Sequence, residues 1–426
     1  MTILATVNLW GTPLGTVTLK TGERFASFQY DAAFSRNGLP VSPLMMPLSG
    51  RCYCFPELFA ESFYGLPGLL SDSLPDKFGT TVVNAWLSGK GRSPDTFNAI
   101  ERLCHLGNRG MGALEFLPAT GPCVEDRLLD VAVLVRLSNA VLAPGARLAD
   151  ADAMADMLRV CTSAGGSRAK AVVAWNPRTH GIGTGRPPGN PEYEDWLIKF
   201  DGISNNRDKE AADPQGYGAM EFAYYRMATD CGIRMSECRL LEEGGRQHFI
   251  TRRFERLDDG DKLHMQSLAA LAHLDFNQAG AYSYEQVFDV LEQLDAPASD
   301  ARQLFRRVVF NIIARNQDDH VKNMAFLMDR QGRWSLSPAF DLTCAYHPGG
   351  RWTDRHQMTL SGKRDHFTLD DLMACGKRAG LKAAEARQIV ADIREVVSRW
   401  REYAEAVSVF PQERDRIQSV LRLDMK

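Results

Sequence analysis

One short stretch of the chain carries most of its chemistry. Asp318, Asp319, His320, Lys322 and Asn323 fall together in DDHVKN, and a further carboxylate, Asp341, closes the following PAFD. An Asp, an Asn five positions on and a later Asp form the set that phosphoryl transfer requires. One carboxylate meets the hydroxyl of the acceptor, while the amide and the second carboxylate hold magnesium against nucleotide phosphates. Asp318 and Asn323 have the D-x-x-x-x-N spacing of a protein-kinase catalytic loop, and Asp341 stands where a metal-binding Asp follows a hairpin. The bare spacing also occurs in Asx-rich turns. The full string, DDHVKN, then a hairpin, then PAFD, is much more specific.

The flanking residues say which elements position this set. In SDARQLFRRVVFNIIARN, apolar residues recur at Leu304, Phe305, Val308, Val309, Ile312 and Ile313, which is helical spacing. After the polar loop, the apolar runs Ala325–Met328 and Trp334–Leu336 are joined by Asp329-Arg330-Gln331-Gly332, a hairpin signal. The expected order is helix, polar loop, hairpin, carboxylate.

D-x-H-x-K-N, a hairpin and P-x-x-D together resemble the HipA family of bacterial serine/threonine kinases, the toxins of HipA–HipB toxin–antitoxin systems. The resemblance implies an α+β, two-lobed protein-kinase-like fold. The N-terminal lobe would be β-rich with an added N-terminal subdomain, and the C-terminal lobe all-helical. The expected division is 1–125 for the subdomain, 126–255 for the rest of the N-lobe, and 256–426 for the C-lobe. Asp318 would orient or deprotonate the acceptor hydroxyl, and Asn323 and Asp341 would bind Mg2+. His320 and Lys322 would support the loop, with Lys322 placed to offset charge on the moving phosphoryl group.

Upstream, Trp196-Leu197-Ile198-Lys199-Phe200 sets one Lys inside an apolar β run. Lys is rarely buried without a partner, and in a kinase the partners are ATP phosphate and a helix Glu. Lys199 is therefore the candidate phosphate grip, unless this is an edge strand with one outward Lys. Glu221, in the helix-like GAMEFAYYRMATD, is its expected partner, or else a carboxylate favouring the helix N-terminus. Before a strand-like AVVAW lie Ser163, Ala164, Gly165, Gly166 and Ser167, small residues that let a backbone approach phosphates or simply turn tightly. The family resemblance makes this the nucleotide-covering loop, with Ser163 its autophosphorylation site. It also makes Arg252, Phe254 and Glu255 of TRRFERL part of an adenine- and ribose-facing hinge. Glu255 stands where the family more often has Asp, which leaves the ribose contact open. Alternatively, Arg252, Arg253 and Arg256 mark a charged edge strand.

The N-terminal ATVNLW, TVTLK and FASFQY read as a meander of three short strands separated by turn residues. Asp72, Ser73 and Asp76 of LSDSLPDKFG read as capping and loop residues. A net charge of -3 argues against general coating of nucleic acid. The nine scattered Cys offer no paired zinc spacing, which suits reduced thiols. No signal peptide and no membrane span are expected, so the location expected is cytoplasmic.

The reading as a whole is an ATP- and Mg2+-dependent kinase acting as a toxin on a protein target such as an aminoacyl-tRNA synthetase. A HipB-like helix-turn-helix antitoxin would be its partner, with DNA reached only through that antitoxin. The alternative is a kinase-fold enzyme that phosphorylates a small-molecule or lipid hydroxyl.

Overall fold

The computed structural model describes residues 2–75, 77–122, 127–143, 151–161, 168–186, 190, 192–203 and 215–425. The expected meander is present. Strands β1 (Thr2–Leu9), β2 (Thr12–Lys20) and β3 (Ser27–Tyr30) pair antiparallel. Trp10 and Gly11, both at positive φ, make the tight connection between the first two, the geometry that matches strand twist in a two-residue hairpin. With β4 (Cys52–Tyr53) and β5 (Leu114–Leu117) they form a sheet ordered β4-β3-β2-β1-β5. Alternate residues Ala5, Val7 and Leu9 point into the core, as period-2 patterning requires.

A second antiparallel sheet contains β6 (Lys170–Trp175), β7 (Ile182–Gly183), β8 (Glu194–Lys199), β9 (Cys238–Glu243) and β10 (Arg246–Arg252), in the order β7-β6-β8-β10-β9. It has its own core, in which Trp175, Trp196 and Ile250 meet Phe78, Val82, Leu134 and Met157. These last come from the helices Lys77–Gly89, Val131–Leu142 and Ala151–Val160. The helix Lys77–Gly89 thus packs with the second sheet although it lies within the first 125 residues. The helix Ala99–Leu106 packs with the first sheet.

The remainder is largely helical around the buried helix Ala298–Ile313, whose Leu304, Phe305, Val308, Val309, Ile312 and Ile313 all lie in the core as the spacing predicts. It is not all-helical, which corrects the expectation for residues 256–426. The strands β11 (His264–Ser267), β12 (Ala325–Met328) and β13 (Trp334–Leu336) form a third antiparallel sheet. The hairpin β12–β13 matches the sequence reading, but His264–Ser267 belongs to a stretch that reads as helix. Its strand runs directly into the helix Leu268–Ala272, and Ser267 is both last strand residue and N-cap, its Oγ accepting from Ala270 N at 3.2 Å. A strand of only four residues joined to a helix without a break is too short for periodicity to separate from it.

Asp72 does more than cap. It accepts from Ser267 N at 2.7 Å and Ser267 Oγ at 2.8 Å, tying the N-terminal part to the start of that helix. Asp76 lies outside the described residues. The fold is mixed α and β. Among the described residues, no helix is long and apolar enough to cross a membrane.

Candidate functional site

The helix Ala298–Ile313 ends at Arg315, which takes φ +58 and turns the chain into the polar loop. A single 3-10 turn, Val321–Asn323, follows, with His320 as N-cap: Lys322 N donates to His320 Nδ1 at 3.2 Å. Asn323 Nδ2 donates to the Asp318 carbonyl at 2.8 Å, which fixes the amide and turns its Oδ1 the other way. Asp318 and Asn323 are therefore held together by the turn that their spacing encodes. The Asp318 side chain is 40% exposed, and its Oδ1 accepts from Trp352 Nε1 at 2.7 Å. Lys322 Nζ lies 4.8 Å from the centre of the Phe276 ring.

Asp319 faces the opposite way and is fully buried. Tyr284 Oη and His356 Nδ1 reach its Oδ2 at 2.6 and 2.7 Å, and Gln357 N reaches Oδ1 at 2.7 Å. Burial alone would raise this carboxyl. The neighbouring His356 and the three hydrogen bonds outweigh it and hold the group below the usual carboxylate range. A carboxylate there requires His356 to carry its proton on Nδ1, so Nε2 can accept from Arg422 Nη1 at 2.9 Å. The rear of the loop is thus anchored to a residue near the C-terminus.

Asp341 follows β13 and Pro338 with φ +53, a left-handed conformation uncommon outside Gly and Asn/Asp. Its carboxylate is in direct contact with Lys199 Nζ, which also contacts Glu221 Oε1. Glu221 lies on the helix Tyr217–Asp230, whose start is fixed by Asp201 accepting from Gly216 N and Tyr217 N at 3.0 Å. Arg168 Nη1 stands 3.7 Å from Glu221 Oε2. Desolvation favours a neutral Lys199, but the Asp341 and Glu221 carboxylates prevail and raise its pKa. For Asp341, burial pushes up, yet Lys199, Lys170 and Arg168 drive the carboxyl far below its ordinary range.

Lys170 is a site residue that the sequence reading missed. It lies directly across from Lys199 in the β6–β8 pairing, and both are buried. Two opposed lysines repel unless an anion lies between their heads. The signal was available, since Lys170 also sits beside an apolar β run.

A cavity of about 10 Å³, room for about one water, lies beside the loop. Asn323 lines it beside Phe340 and Leu342, the two neighbours of Asp341. The structure holds Asp318 with Asn323, and Lys199 with Glu221 and Asp341, and places Lys170 opposite Lys199. Ser163, Ala164, Gly165, Gly166 and Ser167 lie outside the described residues.

In the TRRFERL segment, Phe254 packs against Phe340 with ring centres 5.9 Å apart. Arg252 lines a cavity of about 260 Å³ together with Glu194, Asp195 and Asp258. Glu255 is not presented to a ligand. Its carboxylate is wholly buried, taking Arg253 Nε at 2.8 Å with Arg256 Nη1 3.6 Å away. Those two arginines also donate to the Gly110 carbonyl, and Arg256 to that of Gly112 at 2.7 Å. β10, which ends at Arg252, lies between β8 and β9, so Arg252 is not an edge-strand guard, and Arg253 and Arg256 lie beyond the strand. Arg253 and Arg256 tie the loop before β5 to the segment that follows β10.

Among the described residues, no group of three or more His, Cys, Asp or Glu could hold a metal. The oxygen donors Asn323 and Asp341 are of the hard type that suits Mg2+ shared with phosphate and water. The Lys199 ammonium in contact with Asp341 shows that this carboxylate accepts a cation at close range.

Residues 5–117 match the HipA N-terminal domain and residues 162–400 the HipA-like C-terminal domain. The kinase-named protein Y4mE of Sinorhizobium fredii is 26% identical over 347 residues, covering 75% of this chain and 72% of that protein. A kinase-named protein of Haemophilus influenzae is 25% identical over 134 residues, or 28% of this chain and 39% of that protein. Among solved structures, a chain of the Shewanella oneidensis MR-1 toxin–antitoxin complex of HipA, HipB and operator DNA matches with TM-score 0.68. At 16% identity it covers 97% of this chain and 94% of that one, and so shares the fold.

Proposed function

Because this chain belongs to the HipA family, we propose that it is an ATP- and Mg2+-dependent serine/threonine protein kinase with a two-lobed, kinase-like arrangement. The observation that carries this reading is the position of Lys199 between Glu221 and Asp341, with Lys170 opposite. Two buried lysines beside carboxylates and an amide offer cations for phosphate oxygens and oxygen donors for the metal that phosphates carry.

In the mechanism, Lys199 and Lys170 grip phosphate oxygens, and Glu221 orients Lys199. Asn323 and Asp341 hold Mg2+, which neutralises phosphate charge when bound. Asp318 accepts the proton of the acceptor hydroxyl, while His320, through Lys322 N, keeps the loop in shape. Arg252 and Phe254 form the hinge side of the nucleotide site. Ser163 lies in the loop 163–167, the proposed cover of the nucleotide and the proposed site of autophosphorylation. The sequence divides functionally at about 125 and 255, as read above.

The target is proposed to be a protein of the translation machinery such as an aminoacyl-tRNA synthetase. The partner is proposed to be a HipB-like antitoxin, through which DNA is reached. The fold match to a chain of a HipA–HipB–operator assembly supports the partner. Incubation with γ-labelled ATP, Mg2+ and cell extract tests the activity. A labelled protein band that disappears with Asp318→Asn is expected. Label found only in small molecules or lipid would refute the protein-kinase assignment.

A further inference from the structure

The proposed catalytic carboxylate has a partner that no motif announces. Trp352 lies 34 positions after Asp318, in the loop between Asp341 and the helix Leu369–Arg378, yet its Nε1–H donates to Asp318 Oδ1 at 2.7 Å. Among the described residues no donor is placed on Asp318 Oδ2, and the side chain remains 40% exposed. The two oxygens of one carboxylate are thus unlike: Oδ1 is occupied by a protein N–H and Oδ2 is open.

The indole is held in place. Gln317 Nε2 donates to the Thr353 carbonyl at 3.1 Å, and Gln357 Nε2 to that of Trp352. Gln357 N is fixed by Asp319 Oδ1 at 2.7 Å. Gly349 N donates to Asp354 Oδ1 at 2.7 Å and closes the loop on itself. The His320 ring, 6.4 Å from the indole centre, walls its other side. Two glutamines flanking the buried Asp319 network therefore carry the loop, and the loop carries the indole to Asp318.

We propose that Trp352 is a positioning residue for the acceptor step, fixing the Asp318 carboxylate so that Oδ2 alone faces the incoming hydroxyl. This rests on the kinase reading given above. In the step, the acceptor oxygen forms a bond to the γ-phosphorus of ATP. The bond from that phosphorus to the β–γ bridging oxygen breaks, ADP leaves with the electron pair, and the hydroxyl proton passes to Asp318 Oδ2. A carboxylate on a short side chain swings readily about its last bond. A charge-assisted hydrogen bond to one oxygen removes that freedom before the acceptor arrives.

The test compares Trp352→Phe, which keeps an aromatic ring but removes the N–H, with wild type. With a randomised serine-peptide pool as acceptor, kcat should fall about tenfold, the scale of one hydrogen bond to a charged group. The KM for Mg·ATP should stay within about twofold, because the indole touches the acceptor side of the site. A kcat within twofold of wild type overturns the proposal. A raised kcat also overturns it and makes the indole a blocking cap. A second measurement does not depend on turnover. The indole N–H resonance absent from the Trp352→Phe spectrum identifies Trp352, and it should move upfield in Asp318→Ala. An unmoved signal means that the contact is absent and overturns the proposal by itself. If the wild-type protein transfers no phosphoryl group while the indole signal does move, it is the kinase reading that has failed.

Discussion

Asp318 and Asp319 are consecutive carboxylates on one loop, and the protein treats them in opposite ways. Asp318 is 40% exposed with one oxygen unclaimed, while Asp319 is fully buried with three protein donors on it. The same contrast extends outward. On the front, the ammonium groups of Lys199 and Lys170 stand with the carboxylates of Glu221 and Asp341. On the rear, Tyr284, His356 and Gln357 all donate to Asp319, and Arg422 reaches His356. The front gathers charged groups near an exposed carboxylate, and the rear fixes the loop that carries it.

The sharpest way to break this comparison is to mutate each Asp in turn. Asp318→Asn should lower phosphoryl transfer about a thousandfold, roughly 4 kcal/mol on the barrier. Its urea midpoint should match that of wild type. Asp319→Ala should do the reverse first. It strands buried donors on Tyr284, His356 and Gln357 and should cost about 3–5 kcal/mol of unfolding free energy in urea titrations. If both variants lose activity with unchanged stability, the front–rear division is wrong.

Lys199→Met comes next. Turnover should fall about a hundredfold, near 2.7 kcal/mol, because the phosphate grip is lost. Steady-state kinetics at saturating Mg·ATP would read it, and an unimpaired variant would reassign Lys199 to a structural ion pair.

The dependence on pH sharpens the comparison further. His273 accepts from Gly68 N at 3.0 Å and latches the N-terminal part to the helix Leu268–Ala272. Burial lowers its pKa to about 4. A lowered folded pKa means that the unfolded chain binds the proton first. The stabilising contribution is therefore whole above about pH 6.5 and drains away as the pH falls toward 4. Asp319 and Asp341 are also depressed, so their contributions persist to lower pH and vanish only below the ordinary carboxylate range near 4. Hydrogen exchange at pH 7 and pH 5 should show residues 60–72 loosening before the loop 316–323. The opposite order would contradict the assignment of the latch.

The smallest effect belongs to the surface. Arg330 makes a two-pronged pair with Asp261 at 2.6 Å, but half of its side chain is in water. Arg330→Ala should cost no more than about 1 kcal/mol in urea. A larger loss would mean that exposed pairs carry weight comparable to the rear network.

What the sequence disclosed follows from the range of the interactions. The helix Ala298–Ile313, the turn linking Asp318 to Asn323, and the hairpin β12–β13 are local, set by periodicity, spacing and turn residues a few positions apart. Lys199 was legible because a charge inside an apolar strand is a local anomaly, and the same rule would have found Lys170. The contacts of Trp352, His356 and Arg422 with the loop span 34 to 105 positions, and nothing in their own neighbourhoods marks them. Glu255 misled for a related reason. The direction of its side chain depends on Arg253 and Arg256, which are themselves anchored on the distant Gly110. The strand His264–Ser267 was hidden because its partner, β12, lies some sixty positions away.

The claim beneath all of this is that Lys199, Asn323 and Asp341 form one site for a metal-bound nucleotide. Calorimetric titration of Mg·ATP into the whole protein tests it most directly. One nucleotide should bind per chain, at least tenfold more weakly after Asp341→Asn or Lys199→Met and unchanged after Arg330→Ala. Absence of binding by the wild-type protein, or equal binding by all four, would contradict the account.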